Sequence, residues 1–295
     1  MLVYRGQVRP DQPTGVVTVE GNFGFPIKYG YQVVGRVVEA GEGVDLSPGT
    51  LVFVRHPHQT RFTAPAGGGI ITVIPANVDP LSASLANLVD TSMNCLFDVP
   101  VRFGDVVAIY GLGLVGLFCA QLAARTSSTV IGIDPMAFRR ELAASRGVPL
   151  TSTPEEAPAL ITELSEGRLA DISYEASGTQ EGLQAAILGT GMEGAIGVVA
   201  FYGQKHLDVV LSDAFHFRRQ RVISSNVVNV SGELSHRWNR DRRFKVALRL
   251  TKEMDVPSLI THRFPIEKAA DAYELVDAGE PGTLGVLLDH DGTWT

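Results

Sequence analysis

The stretch Val106–Asp134 reads VVAIYGLGLVGLFCAQLAARTSSTVIGID, and it decides the fold of this chain. Its two ends are short apolar runs at 106–110 and 129–133, and apolar residues recur between them at the spacing of a helix. A motif of the form G-x-G-x-x-G joins the first run to the helical segment. This pattern predicts a strand, a tight turn, a helix and a second, parallel strand. The motif consists of Gly111, Leu112, Gly113, Leu114, Val115 and Gly116.

The glycines of this motif have separate tasks if the stretch binds a dinucleotide. Gly111 permits the tight turn, Gly113 lets the backbone approach a pyrophosphate, and Gly116 lets helix and strand pack closely. The helix N-terminus then offers free N–H groups and the positive end of its dipole to the phosphates. Asp134 ends the second strand, where it can accept hydrogen bonds from a ribose 2′-hydroxyl. The alternative is an ordinary strand–helix–strand unit whose glycines serve packing alone.

Asp134 also bears on the choice of cofactor. A carboxylate repels a 2′-phosphate, so the sequence favours NAD(H) over NADP(H). Arg139 and Arg140 follow closely and either can turn toward a phosphate, which argues the other way. The alternative for both arginines is a solvated helix face.

Composition excludes several classes of protein. The chain has 295 residues, of which 45% are hydrophobic and 19% charged, enough for two globular domains. The net charge of −7 argues against a nucleic-acid partner. No apolar run is as long as a membrane span, and the start lacks the apolar core of a signal peptide, so we expect a cytoplasmic protein without a membrane partner. Cys95 and Cys119 are too few for a disulfide framework or a four-thiolate zinc site.

The pattern before the glycine motif differs from the pattern after it. Short apolar runs separated by glycine and proline predict a β-rich region, with strands that include 16–20, 29–40 and 62–65. Gly35 interrupts one run and indicates a bulge or a close approach of backbone. After Asp134, strand and helix patterns alternate, which predicts a parallel sheet with helices on both faces.

Two later apolar runs end in candidate cofactor contacts. Ser177 and Gly178 follow one run, and Tyr202 lies in the turn after another. Ligands bind at the carboxyl ends of strands in this architecture, so we expect all three residues near the dinucleotide.

The chain resembles the medium-chain dehydrogenase/reductase family, the alcohol-dehydrogenase-like proteins. The matching landmarks are YGYQVVGRVVEAGEGVD, PGTLVF, GDVVAIYGLGLVGLFCAQLA, IGIDP, DISYEASG, GAIGVVAFYG and ITHRFPIEKAADAYEL. The resemblance implies an α/β fold with a Rossmann doubly wound parallel sheet in residues 99–228. It further implies a discontinuous β-rich, GroES-like catalytic domain in residues 1–98 and 229–295, an active cleft between the domains, and a homodimer or homotetramer.

The chain departs from the family where the catalytic zinc is expected. The family's glycine-histidine-glutamate motif matches Gly30-Tyr31-Gln32, so tyrosine and glutamine replace both ligands. No thiolate stands at 87–90, where the family's third ligand falls, and the cysteine-rich structural zinc lobe is missing. Family members also carry a further stretch, with another thiolate, before the point where this chain begins. These departures predict an enzyme that uses no zinc.

Hydride transfer without zinc needs another group that exchanges a proton at the reacting oxygen. His56 and His58 lie two apart at a strand end, so both can face one side, and histidine titrates near neutral pH; alternatively they are hydrogen-bonded loop residues. Tyr31 can present its hydroxyl to a substrate or be a packed aromatic. Asp90 and Asn94 lie on the helix that runs under the nicotinamide in the family. They can contact the substrate or the carboxamide, or form caps and interhelical hydrogen bonds.

The sequence therefore favours a zinc-independent, NAD(H)-dependent oxidoreductase for an alcohol/carbonyl pair, or an activated alkene, of a small metabolite. The alternative is a dinucleotide-binding protein without redox turnover, a regulatory or assembly subunit, which has no proton donor at the nicotinamide. A quinone- or enoyl-type reductase is a third interpretation, but such enzymes usually prefer NADP(H), against Asp134. The substrate is set by cleft residues and not by the fold.

Overall fold

The computed structural model describes residues 1–14, 21–126 and 129–290. The chain divides into two compact units, the first comprising residues 1–87 and 240–295 and the second residues 88–239. No helix in the described part of the chain is long and apolar enough to cross a membrane.

A three-stranded antiparallel sheet begins the first unit. Val34 pairs with Phe53 and Phe53 pairs with Thr72, so the second strand lies in the middle. Gly35 pairs with Val52 in unbroken register, and a Cβ added there would meet nothing within 4 Å among the described residues. The bulge or close approach predicted at Gly35 is therefore wrong. The strands are β1 (Val33–Arg36), β2 (Leu51–Val54) and β3 (Ile71–Val73).

This region has less strand than the sequence predicts. Residues 62–65 form no strand, since the Phe62 ring stacks on a neighbouring side chain and Pro65 has no N–H to give to a ladder. Of the strand predicted at 29–40, only β1 (Val33–Arg36) forms in the structure. The strand predicted at 16–20 lies outside the described residues.

Two helices follow the antiparallel sheet in the chain. Asp79 caps the first helix, because its Oδ2 accepts a hydrogen bond from the N–H of Ser82 at 2.8 Å. In the second helix the Ser92 hydroxyl donates to the Val115 carbonyl at 3.0 Å. Such bonds tie most of this helix to the second unit, which is why the first junction lies at 87/88 and not at 98/99. The helices are α1 (Pro80–Ser84) and α2 (Ala86–Asp98).

The second unit is a six-stranded parallel sheet flanked by helices. Counted along the chain, its strands lie in the order 3-2-1-4-5-6, the Rossmann arrangement. The central strand VVAIY is buried at all five positions, as a strand covered on both faces must be. The doubly wound α/β fold predicted from the sequence is confirmed. The elements are β4 (Val106–Tyr110), α3 (Leu114–Ala124), β5 (Thr129–Ile133), α4 (Ala137–Ser145), β6 (Leu150–Ser152), α5 (Ala157–Leu164), β7 (Ala170–Glu175), α6 (Gln180–Gly189), β8 (Thr190–Val198) and β9 (Arg221–Ser224).

The last part of the chain completes the first unit. Phe244 packs on Phe53 with ring centroids 4.7 Å apart, and both side chains are fully buried. Ile74 and Ala83 belong to the same core cluster, which joins the antiparallel sheet to the C-terminal helices. The final two strands pair in parallel. The elements are α7 (Arg240–Leu250), β10 (Ile260–Pro265), α8 (Ala269–Ala278) and β11 (Gly285–Asp289).

Candidate functional site

The three motif glycines meet three different surroundings. Gly111 has φ +94°, and a Cβ there would lie 2.7 Å from the Cα and N atoms of Ser177. A Cβ at Gly116 would overlap the carbonyl oxygen of Gly111. A Cβ at Gly113 would meet nothing within 4 Å among the described residues. The backbone of this unit thus requires the first and third glycines, whereas the second faces open space that a ligand can approach.

Helix α3 begins at this open side. Gly113 is its N-cap, and no side chain of the described residues caps it. The N–H of Leu117 makes a helical bond back to the Gly113 carbonyl at 2.8 Å, so the preceding N–H groups point out of the helix end. Such an end suits the phosphates of a dinucleotide.

Asp134 links the glycine turn to the end of β5. Its buried carboxylate accepts hydrogen bonds from the N–H of Leu112 at 2.8 Å and from the N–H of Met136 at 2.9 Å. A third, longer bond of 3.4 Å comes from Arg139. A carboxylate has about four acceptor positions, so three internal bonds leave about one for a ribose hydroxyl. The residue therefore fits the predicted ribose contact and also holds the turn together.

The two arginines after Asp134 behave differently. An Arg139 guanidinium nitrogen lies 3.4 Å from the Asp134 carboxylate, and its Nε is buried without a hydrogen-bond partner among the described residues. Arg140 instead donates to the backbone carbonyls of Asp134 and Pro135 at 2.7 and 2.8 Å. Arg139 therefore keeps its Nε as a donor beside the acid.

Glu175, which the sequence reasoning missed, organises three predicted cofactor contacts. It ends β7 and is fully buried. Its Oε1 accepts from the N–H groups of Ser177 and Gly178 at 2.7 and 3.0 Å, and its Oε2 accepts from the Tyr202 hydroxyl. Burial, then the bond to Glu175, raises the pKa of Tyr202, so the phenol stays protonated. The sequence did contain a signal for this role, because Glu175 is an acidic residue at the end of an apolar run and directly precedes Ala176-Ser177-Gly178.

Asn94 holds α2 against the rest of the second unit. Its side-chain N–H groups donate to the Asp98 carboxylate at 2.8 Å, to the Ser225 hydroxyl at 3.2 Å and to the Asn226 carbonyl at 3.2 Å. Asp90 on the same helix is also buried. The contacts of Asn94 match the hydrogen-bonding alternative given above for that residue.

The two candidate histidines do not face one side. The ring of His56 stacks on Phe62 with centroids 3.7 Å apart, and its Nδ1 lies 2.9 Å from the Pro57 carbonyl oxygen. His56 lines one cavity of the first unit and His58 lines another. The expected alternation fails because β2 ends at Val54 and Pro57 separates the two residues in irregular backbone.

Tyr31 is packed among aromatic rings. Its ring meets that of Tyr29 edge-on, with centroids 6.3 Å apart and an interplanar angle of 85°. Burial and, to a smaller extent, the neighbouring Tyr273 raise the pKa of Tyr31, so its phenol is a hydrogen-bond donor at neutral pH.

The residues at the family's zinc position do not fit that metal. Zinc is held by thiolate, imidazole or carboxylate, whereas Tyr31 and Gln32 offer a phenol and an amide. Both cysteines, Cys95 and Cys119, are buried free thiols of the second unit. Within the described ranges no group of three or more His, Cys, Asp or Glu residues is arranged to hold a metal ion.

The strand order, the glycine turn and the acid after β5 define a Rossmann-type protein of the dinucleotide-binding class. The family model for zinc-binding dehydrogenases matches residues 115–244. D-guloside 3-dehydrogenase of Shigella flexneri is 30% identical over 237 residues, which cover 79% of this chain and 66% of that protein. The chain is similar to the medium-chain, zinc-type alcohol dehydrogenase-like proteins, and it spans just under two thirds of the length of this relative.

Solved structures share the fold at lower identity. The alcohol dehydrogenase TADH from Thermus sp. ATN1 superposes with a TM-score of 0.74 at 21% identity, covering 88% of this chain and 84% of that one. An alcohol dehydrogenase from E. coli CFT073, complexed with NADH, gives a TM-score of 0.67 at 20% identity and covers 86% and 81%. Both likenesses bear on the fold alone.

Proposed function

We propose that this chain is a zinc-independent, NAD(H)-dependent oxidoreductase that acts on the alcohol/carbonyl pair, or the activated alkene, of a small molecule. The observation that carries the proposal is the open face of Gly113 at an uncapped helix start, beside the Asp134 carboxylate. The dehydrogenase names of the relatives support the redox class. Substitution of both family zinc ligands at 31–32 supports independence from zinc.

NAD(H) is the proposed cofactor because Asp134 sets a negative charge where NADP(H) carries its 2′-phosphate. Arg139 opposes this preference, since it brings a positive charge to within 3.4 Å of the same carboxylate. A bound nicotinamide would accept or supply the hydride, and a side chain of the protein would accept or donate the proton.

His58 is the residue we propose for proton transfer. In alcohol oxidation the hydrogen on the carbinol carbon leaves as hydride with both electrons of its carbon–hydrogen bond, and the hydroxyl proton passes to a base. Burial, with a smaller contribution from nearby His290, lowers the pKa of His58, so the ring is neutral and able to accept a proton. Its Nδ1 is unpaired among the described residues, whereas His56 and Asn94 are engaged in internal contacts. Tyr31 supplies a second, protonated donor.

The internal engagement of His56 and Asn94 also favours the alternative, a dinucleotide-binding protein without turnover. The two functions share the cofactor site and differ in whether a proton donor serves the reaction. Steady NADH oxidation with a carbonyl substrate separates them, because a binding protein leaves NADH unconsumed.

A fluorescence titration of the purified chain with NADH and, separately, NADPH tests the proposal, with zinc content measured on the same sample. We expect tighter binding of NADH and far less than one zinc per chain. The Asp134→Asn variant should bind NADH about tenfold more weakly, because one hydrogen-bond acceptor becomes a donor. Binding of neither nucleotide, or one zinc per chain, would contradict the proposal.

A further inference from the structure

The cavity lined by His56 has a volume of about 840 Å³ and belongs wholly to the first unit. Its lining comes mainly from two segments, 21–28 and 56–65. Sites for small molecules have volumes of about 300–1,000 Å³, so this cavity is large enough to hold one. Its walls combine apolar with polar side chains and include Asn22, Ile27, Lys28, His56, Gln59 and Phe62.

The ring of His56 is fixed in orientation and in tautomer. It stacks on Phe62 at an interplanar angle of 9°, and its Nδ1 lies 2.9 Å from the Pro57 carbonyl oxygen. A carbonyl oxygen only accepts hydrogen bonds, so Nδ1 carries the hydrogen and Nε2 of the neutral ring carries a lone pair. Nε2 has no hydrogen-bond partner among the described residues and is not among their enclosed atoms. His56 therefore offers the cavity an acceptor in a fixed position.

His58 lines a separate cavity of about 140 Å³ beside Gly30. Gly30 has φ +120°, and a Cβ there would lie 2.5 Å from His58 Cδ2 and 2.7 Å from its backbone N. The ring of His58 can occupy this position only because residue 30 is glycine. Among the described residues that line the larger cavity, His56 is thus the one histidine.

The charge of this lining is positive, although the chain as a whole carries a net charge of −7. Lys28 lines the cavity, and no aspartate or glutamate is found among the described lining residues. Lys28 is exposed and forms no ion pair or hydrogen bond with another described residue. An anionic group in the cavity therefore meets an ammonium group that no internal acid neutralises.

The other polar side chains of the wall suit the same kind of ligand. Asn22 and Gln59 carry amide NH2 groups, each with two hydrogens to donate to an oxyanion. A phosphate monoester brings close to two negative charges to a single cation, whereas a carboxylate brings one, so the charge of the lining favours the carboxylate. The lone pair of His56 Nε2 repels an anion but accepts from an O–H or N–H group beside it.

We propose that this cavity binds a small organic carboxylate that carries an O–H or N–H donor on the neighbouring carbon. The carboxylate contacts the Lys28 ammonium group and the amide NH2 groups, and the O–H or N–H group donates to His56 Nε2. The hydrocarbon part of the ligand contacts apolar walls such as Ile27. This binding involves the first unit alone and needs neither a nucleotide nor a hydride, so it goes beyond the proposed function.

Ligand-observed NMR on the full chain without nucleotide tests the proposal. The probes are mandelate, its neutral amide mandelamide, phenylacetate, which lacks the hydroxyl group, and phenylglycine, in which an ammonium group replaces it. We expect mandelate or phenylglycine to bind about tenfold more tightly than mandelamide and about threefold more tightly than phenylacetate. A preference for mandelate identifies the donor as O–H, and a preference for phenylglycine identifies it as N–H.

Two variants test the two polar contacts separately. Lys28→Met should weaken the better of these two ligands about tenfold and abolish its advantage over mandelamide, because the carboxylate loses its counter-charge. His56→Phe keeps a ring to stack on Phe62 and should abolish the advantage over phenylacetate. The matched controls should change nothing: they are Lys252→Met, at an exposed lysine outside the cavity, and His206→Phe, at an exposed histidine of the second unit.

Equal binding of all four probes would overturn the proposal, as would wild-type affinity in Lys28→Met. If His56→Phe does not fold, the comparison with phenylacetate on the wild-type chain decides whether His56 takes part. NADH binding is read on the same samples. A chain that binds mandelate or phenylglycine but neither nucleotide keeps this site and contradicts the proposed function. A chain that binds NADH but none of the four probes does the reverse.

Discussion

The glycine turn at 111–116 and the cavity beside Gly30 both depend on a missing side chain, but they treat polar groups in opposite ways. At the turn, the carboxylates of Asp134 and Glu175 are bonded to backbone N–H groups. Beside Gly30, buried atoms of His58 and Gln32 stay unpaired among the described residues. The difference teaches that the turn satisfies its buried polar groups from within the protein, whereas beside Gly30 the described residues leave such groups without a partner.

The largest effect should come from Gly116→Ala. The new Cβ would overlap the Gly111 carbonyl oxygen, a backbone atom that cannot move without opening the turn. We expect a loss of more than about 3 kcal/mol in the free energy of unfolding, and no NADH binding. Urea unfolding and the fluorescence titration measure both quantities.

Gly113→Ala is the control for that variant. Its Cβ meets no described residue within 4 Å, so the unfolding midpoint should stay at the wild-type value. NADH affinity should still fall, because the methyl group occupies the path of the pyrophosphate. Wild-type NADH affinity in Gly113→Ala would show that the phosphates bind elsewhere.

Gly30→Ala should have the next largest effect. A left-handed φ of +120° and the contact with His58 should cost about 2–3 kcal/mol of stability and displace the ring. The folded protein should keep its NADH affinity. Gly35→Ala, in regular β1 with open space at its Cβ, should leave NADH affinity and the unfolding curve unchanged. Loss of NADH binding in a folded Gly30→Ala variant would contradict the comparison.

Glu175→Gln tests whether the turn is held by its own carboxylates. One amide NH2 would face a donor, either the Tyr202 hydroxyl or the N–H groups of Ser177 and Gly178. We expect a loss of about 1–2 kcal/mol in urea unfolding. Tyr202→Phe removes one donor and should cost less than Glu175→Gln. A larger cost for Tyr202→Phe would mean that the hydroxyl, not the carboxylate, organises these loops.

The smallest effect concerns pH. The folded-state pKa of His58 lies below its ordinary value of 6.5, so the unfolded chain binds more protons between the two values. The contribution of His58 is therefore fully present above pH 6.5 and is lost as the pH falls through this window. Unfolding midpoints measured from pH 7.5 to pH 5 should fall less steeply for His58→Phe than for His206→Phe. Parallel curves would contradict the burial of a neutral ring.

Prediction from sequence succeeded where local spacing and backbone chemistry agree. Gly111, Gly116 and Asp134 lie where the strand–turn–helix pattern puts them, because a turn between neighbouring elements is fixed by a few consecutive residues. Glu175 was missed because its partner Tyr202 reaches it only after two strands align, although Ser177 lies two residues away in the sequence. His56 and His58 were predicted to face one side because side chains two residues apart do so within a strand. Both histidines lie beyond the end of β2, where this period does not hold.

The sequence by itself determined the parallel α/β unit, its glycine turn and the acid beside it, since sterics and hydrophobic periodicity act between near neighbours. It also determined that phenol and amide stand where the family has zinc ligands. Only the tertiary structure decided which polar atoms remain unpaired. Gln32, His58 and His290 come from distant parts of the chain, yet all three line one cavity of the first unit. Whether a buried polar group is satisfied depends on every element packed around it, and no local pattern records that.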